Sequence, residues 1–239
     1  EPFLGKESVL FAVLNRGKKS IEINLKDKSS LIKLKKLIKN CDVLIEQFRP
    51  GVMDRLGLGW KSVKSLNNKI VYCSITGYGQ SGIKKNRAGH DLNYLAESGL
   101  LKLSTAKDGT PVLPNTQIAD IAGGSYPAFM NILLALFKSQ RINKGSYLDI
   151  SMYENLIPLA WLALGNFFKG KKIKENLLHL NGGIARYNIY KTKDSKFLAL
   201  GALEDKFWKK FCYLIEAPKN VTLELISNEK IIEKIQKII

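Results

Sequence analysis

The sequence predicts an α/β fold, a mostly parallel sheet with flanking helices, joined to part of a smaller α+β unit. Three observations carry that expectation. Helical and strand periods alternate through the first half of the chain, which is the rhythm of βαβ units. A hairpin pattern follows much later, beyond a polar connection. The 239 residues, 45% hydrophobic and 25% charged, suffice for one sizeable core or two modest ones.

Taken in order, Asp27 to Asn40 places Leu31, Leu34, Leu37 and Ile38 on one side of a helix, with Ser29 or Ser30 available as its cap. Asp42 to Phe48 (DVLIEQF) reads as a buried strand, Trp60 to Leu66 as a short helix, and Ile70 to Ile75 (IVYCSI) as a second strand. Ligands of such sheets bind beyond the carboxyl ends of the strands, so a site is expected at the loops Gln47 to Trp60 and Thr76 to Gly89. Tyr147 to Ser151 reads as another strand, followed by a long apolar helical stretch and the polar connection Lys169 to Asn176. Tyr187 to Thr192 and Phe197 to Gly201 make the hairpin, and Glu204 stands at its exit. The Lys-, Ile- and Glu-rich tail after Ala217 starts a further helix. The expected division is therefore a large unit over 1–150, a connecting helix and linker over 151–187, and the start of a small unit over 188–239.

Charge is the unusual bulk feature. The 38 Lys and Arg residues against 21 Asp and Glu give a net charge of +17, which favours an anionic partner. Nucleic acid is not the expected one: only six of the cations are Arg, and the lysines are scattered rather than gathered in an aromatic-studded stripe. A phosphate-rich small ligand needs few of these cations, and the rest coat a solvated surface. Cys41, Cys73 and Cys212 are odd in number and far apart, which indicates neither a disulfide framework nor a zinc site and fits a reducing cytoplasm. The apolar stretches Ile121 to Phe137 and Leu156 to Phe168 fall short of a membrane span and carry Gly123, Gly124, Pro127, Asn131 and Pro158, so they read as buried helices and no membrane partner is expected. The chain opens at Glu1 and Pro2 with no Met and no signal peptide, as a piece of something longer would.

Three residues suit chemistry. His90, in RAGHDLNY, is one of two histidines and sits in a polar loop opening a helix; His179 has no motif around it. Asp120, in QIADIAGGSYPAFM, stands ahead of an apolar helix, where a plain N-cap is the simple reading. Gly123 and Gly124 beside it offer close ligand approach and backbone N–H donors for a developing oxyanion. Glu204, in GALEDKFW, either caps the following helix or holds the tautomer of an imidazole and raises its basicity.

The phrases FRPGVMDRLGLGW, SITGYGQSG, RAGHDLNYLAESGLL, ADIAGG, KGSYLDISMYE, LNGGIARYNIYKT and LALGALEDKFW, in that order, resemble the alpha-methylacyl-CoA racemase family within the class III CoA-transferases (CaiB/BaiF). The resemblance spans Phe11 to about Tyr213. It implies the class III CoA-transferase fold with a Rossmann-like large domain, a catalytic histidine at His90, a catalytic aspartate at Asp120 and the histidine's glutamate partner at Glu204. It also implies contacts to coenzyme A at Ile23, Asn24, Leu25 and Lys26, at Gln47, Arg49 and Arg55, and at Gly89, Asp91 and Tyr94, with Lys26, Arg49 and Arg55 as phosphate ligands.

The implied activity is inversion of a 2-methylacyl-CoA thioester through an enolate, with CoA transfer through an Asp120 acyl anhydride as the alternative. No metal or separate cofactor is implied, because coenzyme A is part of the substrate. The family forms interlocked homodimers, and its site lies between one subunit's large domain and its partner's small domain. Members usually begin with a further strand and helix and continue past the small domain, so this chain reads as a fragment. IARY replaces their usual APFY, which sets Arg186 near the expected site.

Overall fold

The computed structural model describes residues 2–106, 108–170 and 179–239. A short antiparallel pair, β1 (Phe3–Leu4) and β2 (Glu7–Ser8), leads into α1 (Val9–Leu14) and then α2 (Lys28–Ile38). The α/β part follows as β3 (Val43–Glu46), α3 (Val52–Arg55), α4 (Trp60–Leu66), β4 (Val71–Thr76), α5 (Asp91–Glu97), α6 (Tyr126–Ile142) and β5 (Ser146–Ser151). Strands β3, β4 and β5 form a parallel sheet in that order, as the alternating pattern predicts. The central strand β4 is buried along nearly its whole length, the condition for a strand covered on both faces.

After β5 come a 3₁₀ segment (Glu154–Ala160) and α7 (Trp161–Phe168). The expected hairpin forms as β6 (Tyr187–Lys191) against β7 (Phe197–Gly201), with Ile189 opposite Ala199. Helices α8 (Asp205–Leu214), α9 (Lys219–Thr222) and α10 (Asn228–Ile238) complete the chain. Most of the connection expected over Lys169 to Asn176 lies outside the described residues.

Contacts divide the chain into two compact units. The first comprises the residues up to Leu44, Gly51–Tyr72 and Ala135–Tyr147. Its core is Ile38, Met53, Leu58, Val63, Ile70 and Tyr72, with the Tyr72 hydroxyl donating to the Leu58 carbonyl at 3.0 Å. The second comprises Ile45–Pro50, Cys73–Leu134 and Leu148–Ile239, and holds two apolar clusters. One gathers Tyr78, Tyr94, Leu95, Ala119 and Leu156 beneath the site described below. The other packs Ala185, Tyr190, Ala202, Trp208, Cys212, Val221, Ile231 and Ile235 between the hairpin and the last three helices.

Three local expectations are corrected. The cap of α2 is Asp27, whose carboxylate accepts from the Ser30 N–H at 2.7 Å and from the Ser29 hydroxyl at 2.6 Å, so the serines act as donors to the cap. The tail after Ala217 forms two helices, because Glu224 in the left-handed region (φ 50°) ends the first and Ser227 caps the second. The apolar stretch around α6 is not buried: Phe129, Met130, Leu134 and Phe137 are more than half exposed in the single chain. Ala119–Ile142 is moreover one continuous helix of 24 residues, long and apolar enough by length and composition to cross a membrane.

Candidate active site

The second unit contains a cavity of about 460 Å³ where the expected loops converge. Its walls are the segments that leave the three parallel strands: Gln47 to Pro50 after β3, Gly77 and Tyr78 after β4, and Met152 after β5. Every strand thus delivers chain to the site at its carboxyl end, as open parallel sheets do. The remaining wall is Lys85 to His90 with Tyr94, Asp120 and Ser125.

His90 is the N-cap residue of α5, in extended conformation, and its backbone N–H donates to Asn93 Oδ1 at 2.9 Å. The loop leading to it is held by Tyr94. That ring is buried between Gly77 and Gly89, where a Cβ at either position would strike it, and its hydroxyl donates to the Gly89 carbonyl at 2.6 Å. Gly89 and Tyr94, both expected to touch coenzyme A, therefore fix the backbone beside the imidazole as well as lining the cavity.

Asp120 lies one residue into a π-helical segment, Ala119–Ser125, that runs directly into α6. It is not an N-cap. Wide helical turns of this kind occur preferentially at functional sites, because the extra residue turns a side chain outward. The Asp120 N–H donates to the Asp91 carboxylate at 3.0 Å, which ties the start of α5, where His90 stands, to the segment carrying Asp120. Asp91 is thus a brace between the two residues and does not line the cavity.

The Asp120 carboxyl is pushed above its ordinary value, first by partial loss of water and then by the neighbouring Asp91 charge, while His90 opposes the shift. Gly123 and Gly124 have a different role from the one expected. A Cβ on Gly123 would run into the Met152 carbonyl oxygen, and one on Gly124 would meet the Met152 side chain at 3.0 Å, so the glycines admit neighbouring chain rather than ligand.

The cation-bearing wall is the feature that motif reading missed. Lys85 and Arg87 join Arg49 around the cavity. Their loop is anchored by Glu97, which takes Lys84 at 2.8 Å, Arg87 at 3.2 Å and the Tyr78 hydroxyl at 2.9 Å. These bonds hold the Glu97 carboxyl below its ordinary value, with Lys84 the largest cause, and burial pushes the Tyr78 hydroxyl up to about 12. The signal was present in KKNRAG, inside a loop already expected to reach the site.

Other expected residues fall elsewhere. Gln47 and Arg49 line the cavity; Ile23, Asn24, Leu25, Lys26 and Arg55 belong to the first unit. There, Leu25 packs on the apolar core and Asn24 Oδ1 accepts from the Lys26 N–H at 3.0 Å. Glu204 is the exposed N-cap residue of α8, makes no side-chain capping bond and does not line the cavity of its own chain. Arg186 is engaged with Glu224 and Asp205 rather than with the cavity. Among the described residues, no three His, Cys, Asp or Glu side chains gather to hold a metal ion.

An imidazole, a carboxyl of raised proton affinity and three cations, gathered at the carboxyl ends of parallel strands, define an α/β enzyme site suited to an anionic ligand. The chain belongs to CoA-transferase family III, whose family model matches residues 1–238. It is 34% identical to human (Homo sapiens) succinyl-CoA:glutarate CoA-transferase over 229 residues, 96% of this chain and 51% of that one. It is 38% identical to the alpha-methylacyl-CoA racemase of Mus musculus over 202 residues, 82% of this chain and 51% of the racemase. A solved CAIB/BAIF family protein from Brucella suis superposes with a TM-score of 0.72 at 30% identity, covering 85% of this chain and 53% of that structure. The chain spans about half the length of the curated relatives it matches.

Proposed function

We propose that the protein is a racemase of 2-methylacyl-CoA thioesters, in which His90 and Asp120 exchange the proton on the carbon beside the thioester carbonyl. The observation that carries this reading is that imidazole and carboxyl line one cavity, with the proton affinity of the carboxyl raised by partial burial and the Asp91 charge. That proton is weakly acidic, so the reaction needs a base poised near neutrality, an acid on the opposite face, and stabilisation of the enolate between them. Neutral His90 removes the proton from one face, the electrons pass into the thioester as an enolate, and protonated Asp120 delivers a proton to the other face. In the reverse direction the roles exchange. The cations Arg49, Lys85 and Arg87 suit the phosphates of coenzyme A.

Glu204 enters this reading from a second subunit, orienting His90 across an interlocked homodimer in which residues 188–239 begin the small domain. The exposed apolar faces of α6 and α7 (Phe129, Leu134, Phe137, Trp161, Phe168) support a large partner contact. No nucleic acid or membrane partner is part of this reading, and the place of action is the cytoplasm. The test is wash-in of solvent deuterium at the 2-carbon by the protein made from its complete reading frame. His90→Ala abolishes it for the enantiomer whose 2-proton faces the imidazole, and undiminished exchange of both enantiomers removes His90 from the mechanism.

A second reading, CoA transfer between carboxylic acids, draws on the same cations, which suit an acceptor carboxylate, and on the likeness to a succinyl-CoA:glutarate CoA-transferase. There Asp120 attacks the thioester, the thiolate of coenzyme A leaves, and a mixed anhydride remains that hydroxylamine traps. Trapping without deuterium exchange reverses the order of the two readings.

A further inference from the structure

We propose that Arg186 is a positioning residue that presents Glu204 to the imidazole of His90; the inference rests on the pairing of those two residues in the reading above. Arg186 binds on both sides of Glu204. Its Nη1 donates to the Leu203 carbonyl at 2.8 Å and to Asp205 Oδ1 at 2.7 Å, so the residues before and after Glu204 are held by one nitrogen. The other two nitrogens grip Glu224 as a fork, Nε to Oε1 at 3.0 Å and Nη2 to Oε2 at 2.7 Å. The Arg186 Cζ lies 5.4 Å from the centre of the buried Trp208 ring, and the backbone carbonyl of Arg186 accepts from the Ala202 N–H at 2.8 Å. Four of the five N–H donors of the head group are thereby engaged, a geometry that a lysine in its place could not reproduce.

One further observation points at Glu204 rather than at general stability. Glu204 occupies an N-cap position without using its side chain as a cap, and it has no recorded side-chain partner among the described residues. A carboxylate left unengaged, between a backbone contact at Leu203 and a side-chain contact at Asp205, is arranged to accept a hydrogen bond from another subunit.

The experiment is the pH profile of deuterium wash-in for the protein made from its complete reading frame. Its acid limb reports loss of the His90 proton, and a facing carboxylate raises the pH of that limb. Glu204→Gln lowers it by about one unit. Arg186→Ala lowers it in the same direction, and added to Glu204→Gln it produces no further shift, because it acts through the glutamate. Asp205→Asn takes the negative charge from one arm, at a side chain that is 73% exposed, so it spares the core and gives a smaller shift of the same sign if Arg186→Ala does not fold.

A limb unmoved in Arg186→Ala or Asp205→Asn, with Glu204→Gln shifted, overturns the role of Arg186 and leaves the pairing intact. An additive shift in the double variant does the same. A limb unmoved in Glu204→Gln overturns the pairing and the inference together.

Discussion

Replacing Gly123 with alanine tests how tightly the segment carrying Asp120 is seated. The added Cβ would overlap the Met152 carbonyl oxygen and lie 3.2 Å from the carbonyl carbon and 3.3 Å from the Cα of that residue. These are backbone atoms and cannot rotate aside. Met152 is also held by its N–H, which donates to the Thr76 carbonyl at 2.9 Å, and the Gly123 carbonyl is held by the Asn155 side-chain amide at 2.9 Å. Alanine gains about 1 kcal/mol over glycine in helix propensity. Overpacking costs about 1–3 kcal/mol, and loosening one of the two hydrogen bonds costs about 1 kcal/mol more.

The balance is a loss of about 2 kcal/mol, and in a chain of this length it lowers Tm by about 4–8 °C. Gly165 in α7 is the internal control, because a Cβ there meets nothing within 4 Å. Its alanine variant gains up to about 1 kcal/mol and raises Tm by about 2–4 °C. Thermal melts followed by circular dichroism measure both. A Gly123→Ala protein that melts at or above wild type, beside a stabilised Gly165→Ala, refutes the packing argument.

Asp120 makes stability depend on pH with an uncommon sign. Its folded-state proton affinity is raised above the ordinary 3.8, so the folded chain binds that proton more tightly than the unfolded chain and loses stability as pH rises through the interval above 3.8. Asp120→Asn removes the penalty: the variant's Tm advantage over wild type grows from acid to neutral pH, and an advantage constant with pH contradicts the shift. Tyr94→Phe keeps the ring but deprives the Gly89 carbonyl of its donor, costing about 1 kcal/mol in urea unfolding and lowering kcat through the loop ending at His90. Unchanged kcat removes Tyr94 as the clamp of that loop. Glu97→Gln frees Lys84 and Arg87 and raises KM for the thioester by up to about fivefold with kcat unchanged, whereas an effect on kcat alone contradicts a binding role for the loop.

The sheet was legible because its signal is local: apolar runs such as VYCSIT fix a buried strand wherever it packs, and turn chemistry bounds it. The position of the cavity followed from topology once the strands were parallel. The π-helical turn at Ala119–Ser125 was not legible, since its composition suits an ordinary helix and its glycines pack closely against Met152, distant in sequence. The contacts of Arg186 were not legible for a similar reason. Its partners Asp205 and Glu224 lie 19 and 38 residues away, and no periodicity announces a fork that closes over a hairpin. The exposed face of α6 misled in the opposite way, because apolar composition reads as burial whether the cover comes from the same chain or from elsewhere.

The central claim is that two residues serve opposite faces of one carbon, and stereospecific exchange tests it most directly. Each enantiomer of a 2-methylacyl-CoA thioester is incubated separately in deuterium oxide with His90→Ala and with Asp120→Asn, and loss of the 2-proton is followed by NMR. The account predicts that each variant still exchanges one enantiomer, and that the two variants spare opposite ones. Loss of exchange from the same enantiomer in both variants, or full exchange of both enantiomers in either, contradicts it.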